Sequence, residues 1–114
     1  MRIMLKSKIH KATVTKADIK YMGSITIDQE LLNKVDLWSG EQVLVVDNTN
    51  GHRLWTYVIS GQKNKGEICM NGAAAHLIKP GDEIIIMAFA LSTKKIKPRN
   101  ILVDHKNKFV KFFK

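Results

Sequence analysis

A single cysteine, Cys69, two prolines and eight aromatic residues in 114 leave several protein classes without their usual materials. One thiol closes no internal disulfide and supplies no cysteine cluster for a metal. The longest apolar run, Ile84 to Leu91, has eight residues, far short of the roughly 20 a membrane helix needs. The N-terminal stretch Met1-Arg2-Ile3-Met4-Leu5-Lys6 carries neither a long apolar core nor a small-residue cleavage site, so a secretory signal is not expected and a cytoplasmic location is. A Gly-rich phosphate loop, a GxSxG elbow and an HExxH pair are all missing. The four histidines, His10, His52, His76 and His105, are scattered without metal-ligand spacing, and no metal is expected. What is present is ordinary globular composition, 45% hydrophobic and 25% charged, at the size of one domain over residues 1–114.

The net charge of +9 is unevenly placed. Residues 94–114 carry eight Lys and Arg against one acid, and the remaining 93 residues are nearly balanced. Such a basic C-terminal tail reads first as a solvated, solubilising end, and secondly as a surface for nucleic acid. Within it, Phe109, Phe112 and Phe113 among the lysines are expected to pack against the protein or a neighbouring subunit rather than on bases.

Short strand-like segments dominate the hydrophobic pattern. Lys11–Thr15 and Ser24–Ile27 alternate. Asp28 is placed to cap a short helix with Leu31, Leu32 and Val35 inward. Gln42–Val46 is nearly all apolar and predicts a strand buried on both faces. Asn50-Gly51 predicts a hairpin, with Arg53 to Ile59 returning and Arg53, Trp55 and Tyr57 sharing one face. Glu67–Met70 is a short strand, Ala73–Ile78 one or two helical turns, Pro80-Gly81-Asp82 a turn, and Glu83–Ala90 a central strand. Asn100–Asp104 and Lys108–Phe112 read as a last hairpin or a frayed extension. Together these predict a mainly β fold, a small barrel with short helices.

One segment carries chemical interest: Tyr21-Met22-Gly23-Ser24-Ile25-Thr26-Ile27-Asp28. It occurs in order with Met4-Leu5-Lys6-Ser7-Lys8-Ile9-His10, Thr49-Asn50-Gly51 followed by Arg53 and Thr56-Tyr57, Asn71-Gly72-Ala73-Ala74-Ala75, and Lys79-Pro80-Gly81-Asp82. With these blocks the chain resembles the pyruvoyl-dependent L-aspartate 1-decarboxylases from Met4 to about Ala90. The resemblance implies a six-stranded double-psi β-barrel, a homotetramer with active sites between subunits, and a zymogen that cuts itself between Gly23 and Ser24. The products would be chains 1–23 and 24–114, the second beginning with a pyruvoyl group made from Ser24. That covalent group would replace pyridoxal phosphate, and the sequence leaves open whether maturation proceeds unaided or with a helper protein.

Each carried-over role has a chemical reason. Ser24 Oγ attacks the Gly23 carbonyl only from a bent, strained backbone, and glycine tolerates such dihedrals. By resemblance Thr56 positions that carbonyl and Asn71 donates to the developing oxyanion. The pyruvoyl ketone would condense with the amine of L-aspartate and accept the electrons left by CO2. Tyr57 would return a proton to the carbon. Arg53 and Lys8 would hold the two carboxylates, and the backbone of Gly72, Ala73 and Ala74 would complete the cradle. His10 and Tyr21 stand behind these as supports. The product would be β-alanine for pantothenate synthesis. The competing reading is a non-catalytic β-barrel binding module whose basic tail contacts nucleic acid, with Gly23-Ser24 an ordinary turn.

Overall fold

The computed structural model describes residues 1–113. In chain order the elements are β1 (Arg2–Thr13), β2 (Lys16–Asp18), β3 (Ser24–Asp28), helix α1 (Gln29–Val35), β4 (Gln42–Asp47), β5 (Arg53–Gly61), β6 (Ile68–Asn71), a 3-10 helix (Gly72–His76), β7 (Glu83–Ser92), β8 (Arg99–Val103) and β9 (Phe109–Phe112). The fold is mainly β with short helices, as the pattern predicts. Among the described residues the strands number nine, hydrogen-bonded in the order β2-β6-β3-β5-β4-β7-β1-β8-β9. The pairs β1–β8, β2–β6 and β3–β5 are parallel and the others antiparallel. No helix among these residues is long and apolar enough to cross a membrane.

Local signals explain most of the elements. Asp28 Oδ1 accepts from Glu30 N at 2.8 Å and so caps α1, whose Leu31, Leu32 and Val35 enter the core. The same carboxylate accepts from Asn64 N and Gly66 N, at 2.9 and 2.7 Å, so the end of β3 is tied to the loop before β6. The β4–β5 hairpin turns at Gly51, with φ +82°, and Asp47 Oδ1 accepts from Thr49 N. The core between the strands contains Ile9, Ile25, Ile27, Val45, Ile68 and Ile86, all fully buried.

Three expectations need correction. The segment Gln42–Val46 is buried on one face only: Val43, Val45 and Asp47 are buried, Leu44 and Val46 half-buried, and Gln42 exposed. On the outward face of this strand Leu44 and Val46 are only partly covered. The first strand begins at Arg2 rather than Lys11 and ends at Thr13. Register shifts between Leu5 and Ser7 and between Ile9 and Ala12 break its alternation, so the buried set Ser7, Ile9 and Ala12 has no period of two.

The third correction concerns the basic tail, much of which is structural. Strand β8 runs parallel to β1, and Ile101 and Val103 are buried. Strand β9 folds back on β8 as a hairpin, and Phe109 packs on the core. Asn107 is buried in the connecting turn. Its Oδ1 accepts from Thr13 N at 2.7 Å, and its Nδ2 donates to Thr13 O and Gly66 O, each at 2.8 Å. Lys106, Lys108 and Lys111 ride on this hairpin, whose Ile101 and Val103 turn inward while Val110 and Phe112 stay exposed.

Candidate active site

Strands β3 and β6 run antiparallel, with Ser24 opposite Asn71 and Thr26 opposite Cys69. Alternation sends Ile25, Ile27, Ile68 and Met70 to the core and leaves Ser24, Thr26, Cys69 and Asn71 together on the other face. That second face is also covered, since Ser24 is fully buried and Asn71 nearly so. Buried polar atoms need partners. Asn71 Nδ2 donates to Ser24 Oγ at 2.9 Å and to Thr26 Oγ1 at 3.0 Å. Ser24 Oγ donates to Met22 O at 3.1 Å, and Cys69 Sγ donates to Asn71 Oδ1 at 3.1 Å. Burial pushes the Cys69 thiol pKa up, and the Glu67 carboxylate adds to the effect.

Immediately after Asn71 the chain turns at Gly72, with φ +71°. A Cβ at that position would sit 2.7 Å from Gly23 Cα and 2.8 Å from Gly23 N. Glycine is therefore required here by both dihedral and contact. At Gly23 itself the left-handed dihedral expected of a strained peptide is absent, and the space beside its Cα is open. The constraint on the Gly23-Ser24 segment comes from across the ladder. Gly72→Ala is expected to cost about 1–3 kcal/mol, read as a lower denaturant midpoint. An unchanged midpoint would mean that Gly23 yields freely.

Gly23 opens onto a cleft of about 330 Å³ whose lining includes Thr56, Asn71, Ala73, Ala74 and Leu77. The 3-10 helix brings Ala73 and Ala74 there because its small side chains let the backbone approach. Thus Gly23, Ser24, Thr56, Asn71, Gly72, Ala73 and Ala74 lie together, and Tyr21 joins through its carbonyl, which lies against Gly72. Thr26 and Cys69 belong to the same cluster and were not singled out from the sequence. Their signal is the period of two shared with Ser24 and Asn71.

Lys8, His10, Arg53 and Tyr57 do not line this cleft, although Trp55, which stands between Arg53 and Tyr57 on β5, does. Arg53, Trp55 and Tyr57 occupy the outward alternation of β5 and are exposed. The cross-strand partners Trp55, Leu44, Met87 and Lys8 form one row over β5, β4, β7 and β1. Lys8 therefore stands three strands from Trp55, about 14 Å at about 4.8 Å per strand. His10 Nδ1 is buried without a partner, and its ring meets Phe113 edge-on at 5.8 Å. Burial lowers the His10 pKa, and nearby Lys8 lowers it further, so the neutral ring is favoured. No group of three or more His, Cys, Asp or Glu among the described residues is placed to hold a metal ion.

The arrangement is that of a small, mainly β protein with a fully buried serine bonded to an asparagine beside an open glycine peptide. The aspartate decarboxylase family model matches residues 1–110. Aspartate 1-decarboxylase of Acetivibrio thermocellus is 50% identical over 111 residues, covering 94% of this chain and 88% of the relative. That of Caldicellulosiruptor bescii is 53% identical over 112 residues (95% and 88%), and that of Clostridium botulinum 54% over 108 (91% and 87%). This chain belongs to the aspartate decarboxylase family.

Proposed function

We propose that the chain is a self-processing L-aspartate 1-decarboxylase that makes β-alanine and CO2 for pantothenate synthesis in the cytoplasm. The observation that carries the self-processing part is the Asn71 Nδ2 to Ser24 Oγ hydrogen bond, buried beside the Gly23 peptide. Ser24 Oγ adds to the Gly23 carbonyl, and the peptide nitrogen departs to leave an ester. Thr56, on the same cleft as Gly23, holds that carbonyl. Asn71 supplies an N–H to the oxygen that gains charge. Elimination then frees the Gly23 carboxylate, and water converts the remaining unsaturated residue 24 to a ketone with loss of ammonia.

The residues at hand fit that conversion. The Ser24 hydroxyl has one acceptor, Met22 O, and an N–H donor, Asn71 Nδ2, and the Gly23 side is open. The resulting ketone would supply an electrophile for the substrate amine and a sink for the electron pair that CO2 leaves behind. The remaining work falls to side chains. Arg53 grips one carboxylate through its bidentate fork, and Lys8 faces the other as a point charge. Tyr57 holds its phenolic proton for the carbon that has lost CO2. The backbone at Gly72, Ala73 and Ala74 bounds the substrate, with Tyr21 and His10 in support.

A homotetramer with sites shared between subunits accounts for the separation of Arg53, Tyr57 and Lys8 from the Ser24 cleft. The face that bears Arg53 and Tyr57 also exposes Ile3, Trp55 and Leu91, which are 75%, 58% and 65% accessible. A monomer rarely leaves so much adjacent apolar surface in water. On this reading the second subunit completes the pocket.

Denaturing mass spectrometry of freshly made and aged protein tests the proposal. The expected result is two chains, 1–23 and 24–114, the longer one lighter by one ammonia than hydrolysis alone would leave. A chain that stays whole, with and without other cell proteins added as a maturation helper, and that makes no β-alanine would refute it.

A further inference from the structure

We propose that a buried hydrogen-bond chain from Cys69 through Asn71 to Ser24 sets which end of the Asn71 amide faces the serine, with Cys69 as its positioning residue. The inference rests on the self-processing reading above and adds a residue to its machinery.

Asn71 offers one acceptor, Oδ1, and one donor group, Nδ2, and these ends can exchange places by rotation of the amide. Toward β3 it meets two hydroxyls, Ser24 Oγ at 2.9 Å and Thr26 Oγ1 at 3.0 Å. A hydroxyl donates or accepts with equal ease, so these two do not decide the matter alone. The proton of Ser24 goes to Met22 O, which leaves Ser24 Oγ as an acceptor. On the other side stands Cys69 Sγ, 3.1 Å from Oδ1. Among the described residues, the other acceptor of that sulfur, Met70 O, is farther off at 3.9 Å. Burial and Glu67 both hold the thiol in its protonated form, so the sulfur is a donor near neutral pH. Its S–H satisfies Oδ1, and Nδ2 is thereby turned to Ser24.

The consequence is chemical. When Ser24 Oγ becomes the nucleophile, an N–H pointed at the reacting oxygens stabilises charge, and a carbonyl oxygen in its place repels it. Removing the thiol proton leaves Oδ1 buried without a donor, an unfavourable state. Rotation of the amide gives Oδ1 the Ser24 and Thr26 hydroxyls as donors, with the Ser24 proton leaving Met22 O and Nδ2 turning to position 69. Without the thiol, neither orientation is fully paired, and the amide is no longer held in one of them. The rotated amide forfeits the N–H at Ser24. Cys69 is 5% exposed and the asparagine 3%, so water does not readily substitute for the missing donor.

The experiment follows cutting of newly made wild type, Cys69→Val and Cys69→Ser by denaturing mass spectrometry, with thermal melting as a check on folding. Cys69→Val fills the volume without a donor and is expected to slow cutting by about tenfold to a hundredfold. Cys69→Ser restores a donor and is expected to cut within about threefold of wild type. Equal rates for valine and wild type overturn the proposal, and so does a serine variant as slow as the valine one. A second readout needs no cutting. With one cysteine in the chain, the S–H stretching band in the infrared belongs to Cys69 alone. Asn71→Leu is expected to shift it to the higher frequency of an unbonded thiol, and a band that does not move overturns the hydrogen bond. A wild type that never cuts overturns the self-processing reading and the positioning role with it. The serine and valine comparison fails separately, in protein that does cut.

Discussion

Ser24→Ala is expected to remain a single uncut chain and to release no β-alanine from L-aspartate, however long it is incubated. The substitution removes the only hydroxyl bonded to both Met22 O and Asn71 Nδ2, and with it the nucleophile proposed for the Gly23 carbonyl. The fold should survive. Asn71 Nδ2 keeps its bond to Thr26 Oγ1, and the loss of two neutral hydrogen bonds costs about 1–3 kcal/mol. Denaturing mass spectrometry reads the outcome directly. Fragments meeting at residues 23 and 24 in this variant would remove Ser24 from the chemistry.

Tyr57→Phe should behave in the opposite way, maturing normally and failing afterwards. Tyr57 lies on the outward face of β5, opposite Gln42 and 38% exposed, away from the Ser24 cluster. Its hydroxyl takes no part in the bonds around Ser24, so the fragments should appear at the wild-type rate. Decarboxylation should fall by about 10²–10⁴-fold, the usual contribution of a positioned proton donor. Fragment analysis paired with β-alanine measurement separates the two stages. Full turnover by the phenylalanine variant would exclude Tyr57 as the acid, and failure to mature would place it in the wrong stage.

The two variants also probe how the parts of the site are joined. The Ser24 cluster lies within one chain, and the proposed cutting draws on that cluster. Arg53, Tyr57 and Lys8 do not line the Gly23 cleft, and turnover is proposed to need a second copy. Dilution should therefore lower decarboxylation before it affects the cut.

Much of the architecture was legible because its signals are local. Asn50-Gly51 makes a hairpin by its own dihedral preferences, and Asp28 caps α1 from one residue away. Alternation along Arg53–Ile59 correctly placed Arg53, Trp55 and Tyr57 on one face. Where the reading failed, the missing information was in another strand. Bulges hid the pattern of β1, whose register is set by pairing with β7 and β8. The lysine-rich end read as solvated, yet Asn107 bonds to Thr13 and Gly66, residues at least 41 positions away in the chain.

From the amino-acid order alone came a mainly β chain with short helices, its hairpin turns, and the motif around Gly23-Ser24. These follow from dihedral preference and side-chain alternation, which act over a few residues. Tertiary structure alone decided that Gly72 rather than Gly23 is the conformationally restricted glycine. It also brought Thr26 and Cys69 to Asn71, and left Arg53 and Tyr57 on an uncovered face. Those outcomes depend on which residues stand opposite one another across a ladder, and register is a property of two strands together.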